Sequence, residues 1–192
     1  MYPVQEGFCQ DEVEVGLTQH ERETLHFIAR TTVERVVQGE KATSFAITSP
    51  ALGEHRGAFV TLKRGGRLRG CIGCLVGRDP LWKTVRRMAI QAAMNDPRFP
   101  PVTGKELPFI EIEISVLGPL RPVQQIEEIV VGTHGLVLIR NERSGVLLPQ
   151  VASENGWDRK TFLESLSQKA GLPRDAWKRQ GSRIYRFTAE VF

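Results

Sequence analysis

Cysteine is scarce in this chain: three in 192 residues, at positions 9, 71 and 74. A small odd number excludes the disulfide framework of small secreted domains and points to a reducing cytoplasm. Long apolar runs are missing too. Leu136-Val137-Leu138-Ile139 is among the longest, far short of the ~20 residues of a membrane span. Met1-Tyr2-Pro3-Val4-Gln5-Glu6 lacks the basic start and apolar block of a secretory leader. Aromatics are 7% of residues and none is interleaved with the arginines, as a single-strand nucleic-acid platform would need. Neither a second C-x-x-C nor a spaced His pair accompanies Cys71 and Cys74, so the four ligands of a structural zinc site are not there and no metal set is assigned. Internal repeats and low-complexity tracts are also absent.

What is present is an ordinary globular balance, 41% hydrophobic and 25% charged, enough for one domain or two small ones. Charge is unevenly spread. Net charge is +4, but residues 1–62 carry −4, residues 63–105 carry +8, and residues 106–192 carry eleven charges of each sign. The segment 63–105 would draw an anionic ligand: a phosphate, a carboxylate or a nucleic acid. A solvated basic helix face is the alternative.

Residues 1–16 read as an acidic, irregular lead-in to a body spanning 17–192. Thr18 and Glu21 have capping-box spacing, and the stripe from Leu25 to Val36 predicts a helix to Val37. Gln38 to His55, broken by Pro50, reads as loop. Gly57–Leu62 and Leu68–Gly73 predict a hairpin around Lys63-Arg64-Gly65-Gly66. Asp79 as N-cap and Pro80 as first helical residue open a helix to Met94, with Leu81, Val85, Met88, Ala89 and Ala92 inward. Pro97, Pro100 and Pro101 end it, and Thr103–Glu106 reads as one capped turn. Phe109–Leu117 alternates as a strand, Ile110, Ile112, Ile114 and Val116 against Glu111, Glu113 and Ser115. Gly118–Pro122 reads as a linker, with a boundary between two lobes near 118–135. Gly135–Arg140 and Val146–Leu148 predict a second hairpin turned by Asn141–Gly145. A helix capped by Asp158 and stopped by Gly171 and Pro173 follows, then a closing strand from Ile184 to Val191. Hairpin-sized strand pairs with helices inserted as blocks favour α+β with mainly antiparallel sheets.

Leu68-Arg69-Gly70-Cys71-Ile72-Gly73 places a thiol between two glycines in the most basic part of the chain. Strand parity puts Arg67, Arg69 and Cys71 on one face. Guanidinium groups beside a thiol favour its thiolate, which attacks electrophiles and binds ligands; the plainer reading is a small side chain fitted under a neighbour. C-x-x-C spacing within a strand sends Cys71 and Cys74 to opposite faces, against a dithiol, so Cys74 reads as a small buried residue.

Phe59-Val60-Thr61-Leu62 followed by this motif resembles the signature of the AMMECR domain family. Asp96-Pro97-Arg98-Phe99-Pro100-Pro101, Glu111 to Leu117, His134-Gly135-Leu136, Leu148 to Ala152, Gly156-Trp157-Asp158 and Lys169 to Leu172 extend the resemblance in order, from about Leu17 to Phe192. Cys74 departs from it, since family members commonly carry threonine there. The resemblance implies a larger α/β lobe with flanking helices and a smaller lobe with its own sheet, meeting at a cleft near the cysteine motif. It implies no settled activity and no cofactor. Bacterial and archaeal members look like component A of the AmmeMemoRadiSam system, which implies Memo-type and radical-SAM protein partners.

The expected site therefore has Cys71 at its centre, Glu113 and His134 as acid/base candidates, and Arg69, Gly70, Gly73 and Arg98 around a small anionic or electrophilic ligand. Glu113 either borders the cleft and orients Arg98 or lies on a solvated sheet face. His134 is either a titrating loop histidine or incidental. Arg98 either meets a ligand or pairs internally with Asp96 or a sheet glutamate. The competing expectation is a non-catalytic module binding protein or nucleic acid through residues 63–105.

Overall fold

The computed structural model describes residues 16–41 and 44–192, so Cys9 and the lead-in up to residue 15 lie outside the described residues. Helix α1 (Gln19–Val37) starts at the predicted capping box: Thr18 Oγ1 accepts the Glu21 N–H and Glu21 Oε2 accepts the Thr18 N–H. Its buried stripe is Leu25, Ile28, Ala29, Thr32 and Val33. A short helix α2 (Pro50–Gly53), capped by the Ser49 hydroxyl, interrupts the stretch expected to be loop. Strands β1 (Ala58–Arg64) and β2 (Arg67–Cys74) pair around Gly65-Gly66, both at positive φ, as a two-residue hairpin turn demands.

Helix α3 (Leu81–Met94) begins one residue later than expected. Pro80 is its N-cap and no side chain caps it; the Asp79 carboxylate lies 3.5 Å from Arg87 instead. Strand β3 (Ile110–Leu117) follows, then a two-residue strand β4 (Arg121–Pro122) within the expected linker. Strands β5 (Gly135–Arg140) and β6 (Arg143–Leu147) are joined by Asn141-Glu142 alone, because Asn141 accepts a left-handed φ of 54° and closes a tighter turn than expected. Helices α4 (Pro149–Glu154) and α5 (Arg159–Lys169) come next, α5 capped by Asp158 and ended by Gly171 at positive φ. The closing strand expected over 184–191 is in fact two, β7 (Arg183–Phe187) and β8 (Ala189–Val191).

The strands form two four-stranded antiparallel sheets, β2-β1-β3-β8 and β4-β7-β5-β6. The chain is α+β, as expected. It leaves the first sheet after Leu117 and returns to it at Ala189, having built the second sheet in between. Helices α1 and α3 cover one face of the first sheet over Val60, Leu62, Ile114 and Val116. Leu136 and Leu138 of the second sheet pack with Phe162, Leu163 and Leu166 of α5. A third cluster, Leu117, Val137, Tyr185 and Phe187 with Phe59, Leu75 and Leu148 around it, joins the two sheets.

Candidate functional site

Alternation along β1 turns Val60 and Leu62 toward the helices, and Phe59, Thr61 and Lys63 away from them. Thr61 lies directly opposite Cys71 on one side and Glu113 on the other. The three form one row across three strands. Thr61 Oγ1 donates to Cys71 Sγ at 3.2 Å, and Lys63 Nζ donates to Glu113 Oε2 at 2.7 Å. That bond holds the Lys63 ammonium above its ordinary pKa against the opposing effect of burial. In the next row Ser115 is buried with no hydrogen-bond partner for its hydroxyl among the described residues.

The backbone of Cys71 is pinned by the proline-bounded loop after α3. Its N–H donates to Asp96 Oδ2 at 2.8 Å, and Arg98 Nη2 donates to its carbonyl at 3.1 Å. Arg98 also grips Asp96 in a fork, Nε to Oδ1 at 2.9 Å and Nη2 to Oδ2 at 2.7 Å, while its own N–H reaches Oδ1. The Arg98 guanidinium, with the Cys71 and Arg98 N–H groups, outweighs burial and keeps the Asp96 carboxyl well below the usual carboxylate range. Of the two expectations for Arg98, internal pairing is what the fold builds. Its partner is Asp96 rather than Glu113, whose carboxylate is occupied by Lys63. Half of the Arg98 side chain (50%) still faces solvent, leaving an edge of the guanidinium open.

Arg69 is held in a similar way. Its Nε and Nη2 meet the two Glu106 oxygens at 2.8 and 3.2 Å, and Nη2 also reaches the Pro101 carbonyl. Glu106 further accepts from Arg64, from the Thr103 N–H and from the Thr103 hydroxyl. The Arg69 fork, ahead of the Thr103 bonds, lowers the Glu106 carboxyl to about 2. Both Arg69 and Arg98 lie over the Phe99 ring, at 5.9 and 5.6 Å from its centre, and Lys83 and Arg86 flank Trp82. Of these four cations only Arg69, thirty positions from Phe99, is brought to its ring by tertiary folding.

Two expectations about β2 change in three dimensions. A bulge between Leu62 and Lys63 sets Leu68 opposite Lys63 and Arg67 opposite Arg64, so parity breaks and Arg67 leaves the Cys71 face. The space left by the glycines is filled by the protein itself. A β-carbon on Gly70 would lie 2.3 Å from the Ala92 carbonyl oxygen, and one on Gly73 would lie 2.2 Å from the Phe59 ring. Cys74 points the other way, into the core under the helices.

His134 immediately precedes β5 of the second sheet, and its partners are not those of Cys71. Nδ1 accepts the Val130 N–H at 3.0 Å, and Nε2 stands 3.4 Å from Arg186 Nη1. Burial, then the Arg186 charge, lower its pKa, while a backbone hydrogen bond with Glu128 pulls the other way. Half of the cations of the basic segment are paired: Lys63, Arg64, Arg69, Arg87 and Arg98, five of its ten, are in ion pairs. Thr61 and Glu106 carry no signal in the sequence as site residues. The spacing of Thr103 and Glu106, that of a capping box, was the one hint of how Glu106 would be held.

A profile of the AMMECR1 family matches residues 26–192. The chain belongs to the AMMECR1 family. It is 42% identical over 184 residues to a protein of Methanothermobacter thermautotrophicus, covering 92% of this chain and 95% of that protein. It is 39% identical over 172 residues to a protein of Nanoarchaeum equitans, covering 86% and 96%. The crystal structure of an uncharacterized protein from Pyrococcus horikoshii, 39% identical, matches this fold with a TM-score of 0.83 over 88% of this chain and 89% of that one. The α+β architecture of this AMMECR1-family chain is thus shared with a solved relative. Among the described residues no helix is long and apolar enough to cross a membrane, and no group of three His, Cys, Asp or Glu side chains is placed to hold a metal ion.

Proposed function

We propose that this AMMECR1-family protein works through Cys71, holding a small anionic or electrophilic group against the sulfur on the face of the first sheet turned away from α1 and α3. The observation that carries the reading is the row Cys71–Thr61–Glu113, in which the Thr61 hydroxyl donates to Sγ and Lys63 bridges to Glu113. The Thr61 hydroxyl fixes the position of the sulfur, and a cation two residues along β1 favours a negatively charged ligand beside it. Arg98, half open to solvent, is the second charge partner, and Arg69 supports it through the shared Phe99 ring. Glu113 is the acid/base group, its Oε2 accepting from Lys63 until the ligand displaces the ammonium. His134 is left out of this constellation because its contacts are with Val130 and Arg186. In the cell the protein serves as a cytoplasmic accessory component, of enzyme type, in a pathway with Memo-type and radical-SAM proteins. Internal pairing of half the cations in residues 63–105 argues against the nucleic-acid reading, because a paired cation releases few counterions from a phosphate backbone.

Alkylation tests this directly. With Cys9 and Cys74 changed to alanine, Cys71 is treated with iodoacetate and with iodoacetamide, each attacked at its iodine-bearing carbon by the thiolate to form a thioether with release of iodide to solvent. The ratio of anionic to neutral reagent rates is expected to be several-fold higher in the native chain than in urea, and to fall in Arg98→Gln. Equal ratios in native and unfolded chain would remove the anion-directing site and with it the proposal.

A further inference from the structure

Register places Arg121 of β4 directly opposite Arg186 of β7. Like charges so opposed destabilise an antiparallel pair unless an anion lies between them. One carboxylate is near: Glu128 Oε2 is 3.4 Å from Arg186 Nε. It is too poorly aligned to accept the hydrogen, and Nε stays buried without a hydrogen-bond partner. Among the described residues no carboxylate pairs with Arg121. On the other side of Arg186 stands His134. Its Nδ1 accepts the Val130 N–H, and its Nε2 stands 3.4 Å from Arg186 Nη1. Two guanidiniums thus meet across the strand pair, with a single misaligned carboxylate to answer them.

These three side chains, with Pro119, Phe187 and Thr188, line a cavity of about 130 Å³. None of the Cys71 row lines it, so it is a second place on the molecule rather than part of the first. A small oxyanion here would accept from both guanidiniums and relieve their repulsion. Two arginine charges match a dianion better than a monoanion, and their planar forks suit phosphate oxygens. We propose that this cavity binds the phosphate group of a small-molecule ligand.

The test is a titration of the ¹⁵N-labelled full chain with inorganic phosphate, and separately with acetate, at constant ionic strength. Phosphate is expected to give saturable shifts of the Arg121, His134 and Arg186 signals, more tightly than acetate. Arg121→Gln, at an exposed position where folding is not at stake, is expected to weaken phosphate binding about tenfold or more. Cys71→Ser should leave it unchanged. No saturable shift at tens of millimolar phosphate, undiminished binding in Arg121→Gln, or acetate binding as tightly as phosphate would each overturn the assignment.

Discussion

Asp96 and Glu106 are the two carboxylates that fasten the Cys71 strand to the loop after α3, and both are held below their ordinary pKa. A carboxyl lowered on folding binds fewer protons in the native state, so its stabilisation is complete above the unfolded value and is lost as pH falls through the folded one. For Glu106 that window runs from the ordinary 4.5 down to about 2. Glu106→Gln is therefore expected to cost up to about 3 kcal/mol at neutral pH, and to flatten the fall in stability across that acid window. Urea midpoints of both chains at several pH values measure this; parallel curves would show that the Arg69 fork contributes nothing. Asp96→Asn leaves without an acceptor either the Cys71 N–H together with Arg98 Nη2, or Arg98 Nε together with the Arg98 N–H, at about 1–3 kcal/mol. Asp96-x-Arg98 was legible as a constrained pair of opposite charges. That its acceptor oxygen would take the N–H of Cys71, 25 residues earlier, was not.

Strand β2 shows what an element adds to its residues. Its glycines leave room for backbone or a ligand to come close, and in the fold one admits the α3 carbonyl of Ala92 and the other admits the ring of Phe59. Gly70→Ala is expected to destabilise by at least about 2 kcal/mol, because the obstructing atom is backbone and cannot step aside. Gly73→Ala meets a side chain, so the double variant with Phe59→Ala should lose less stability than the two single losses added, a coupling absent between Gly70→Ala and Phe59→Ala. Denaturation of the three single and two double variants decides it, and strict additivity in both pairs would refute the packing assigned to Gly73. Alternation correctly sorted Ile110, Ile112, Ile114 and Val116 from Glu111, Glu113 and Ser115, since β3 pairs without interruption. It failed at Arg67 because a bulge shifts the period by one residue, and no residue type in Lys63–Arg69 announces it.

Across the whole molecule the two sheets are joined by a small cluster in which Phe187 is 2% exposed and packs over Gly135. Phe187→Ala is expected to cost about 3–5 kcal/mol. It should lower hydrogen-exchange protection in both β3 and β5; loss confined to the second sheet would mean the cluster does not couple them. Composition, periodicity and capping residues determined by themselves the α+β class, the two long hairpins, the starts of α1 and α5 and the inward face of α3, because these depend on neighbours within a few positions. The AMMECR-family motifs were legible on the same local scale. Only the tertiary structure decided that residues 184–191 divide between two sheets, that His134 lies with Arg186 and away from Cys71, and that Thr61 stands between Cys71 and Glu113. Those relations join residues 10 to more than 50 positions apart. Register and sheet order, which follow from how whole faces bury one another, set them, and no local pattern encodes either.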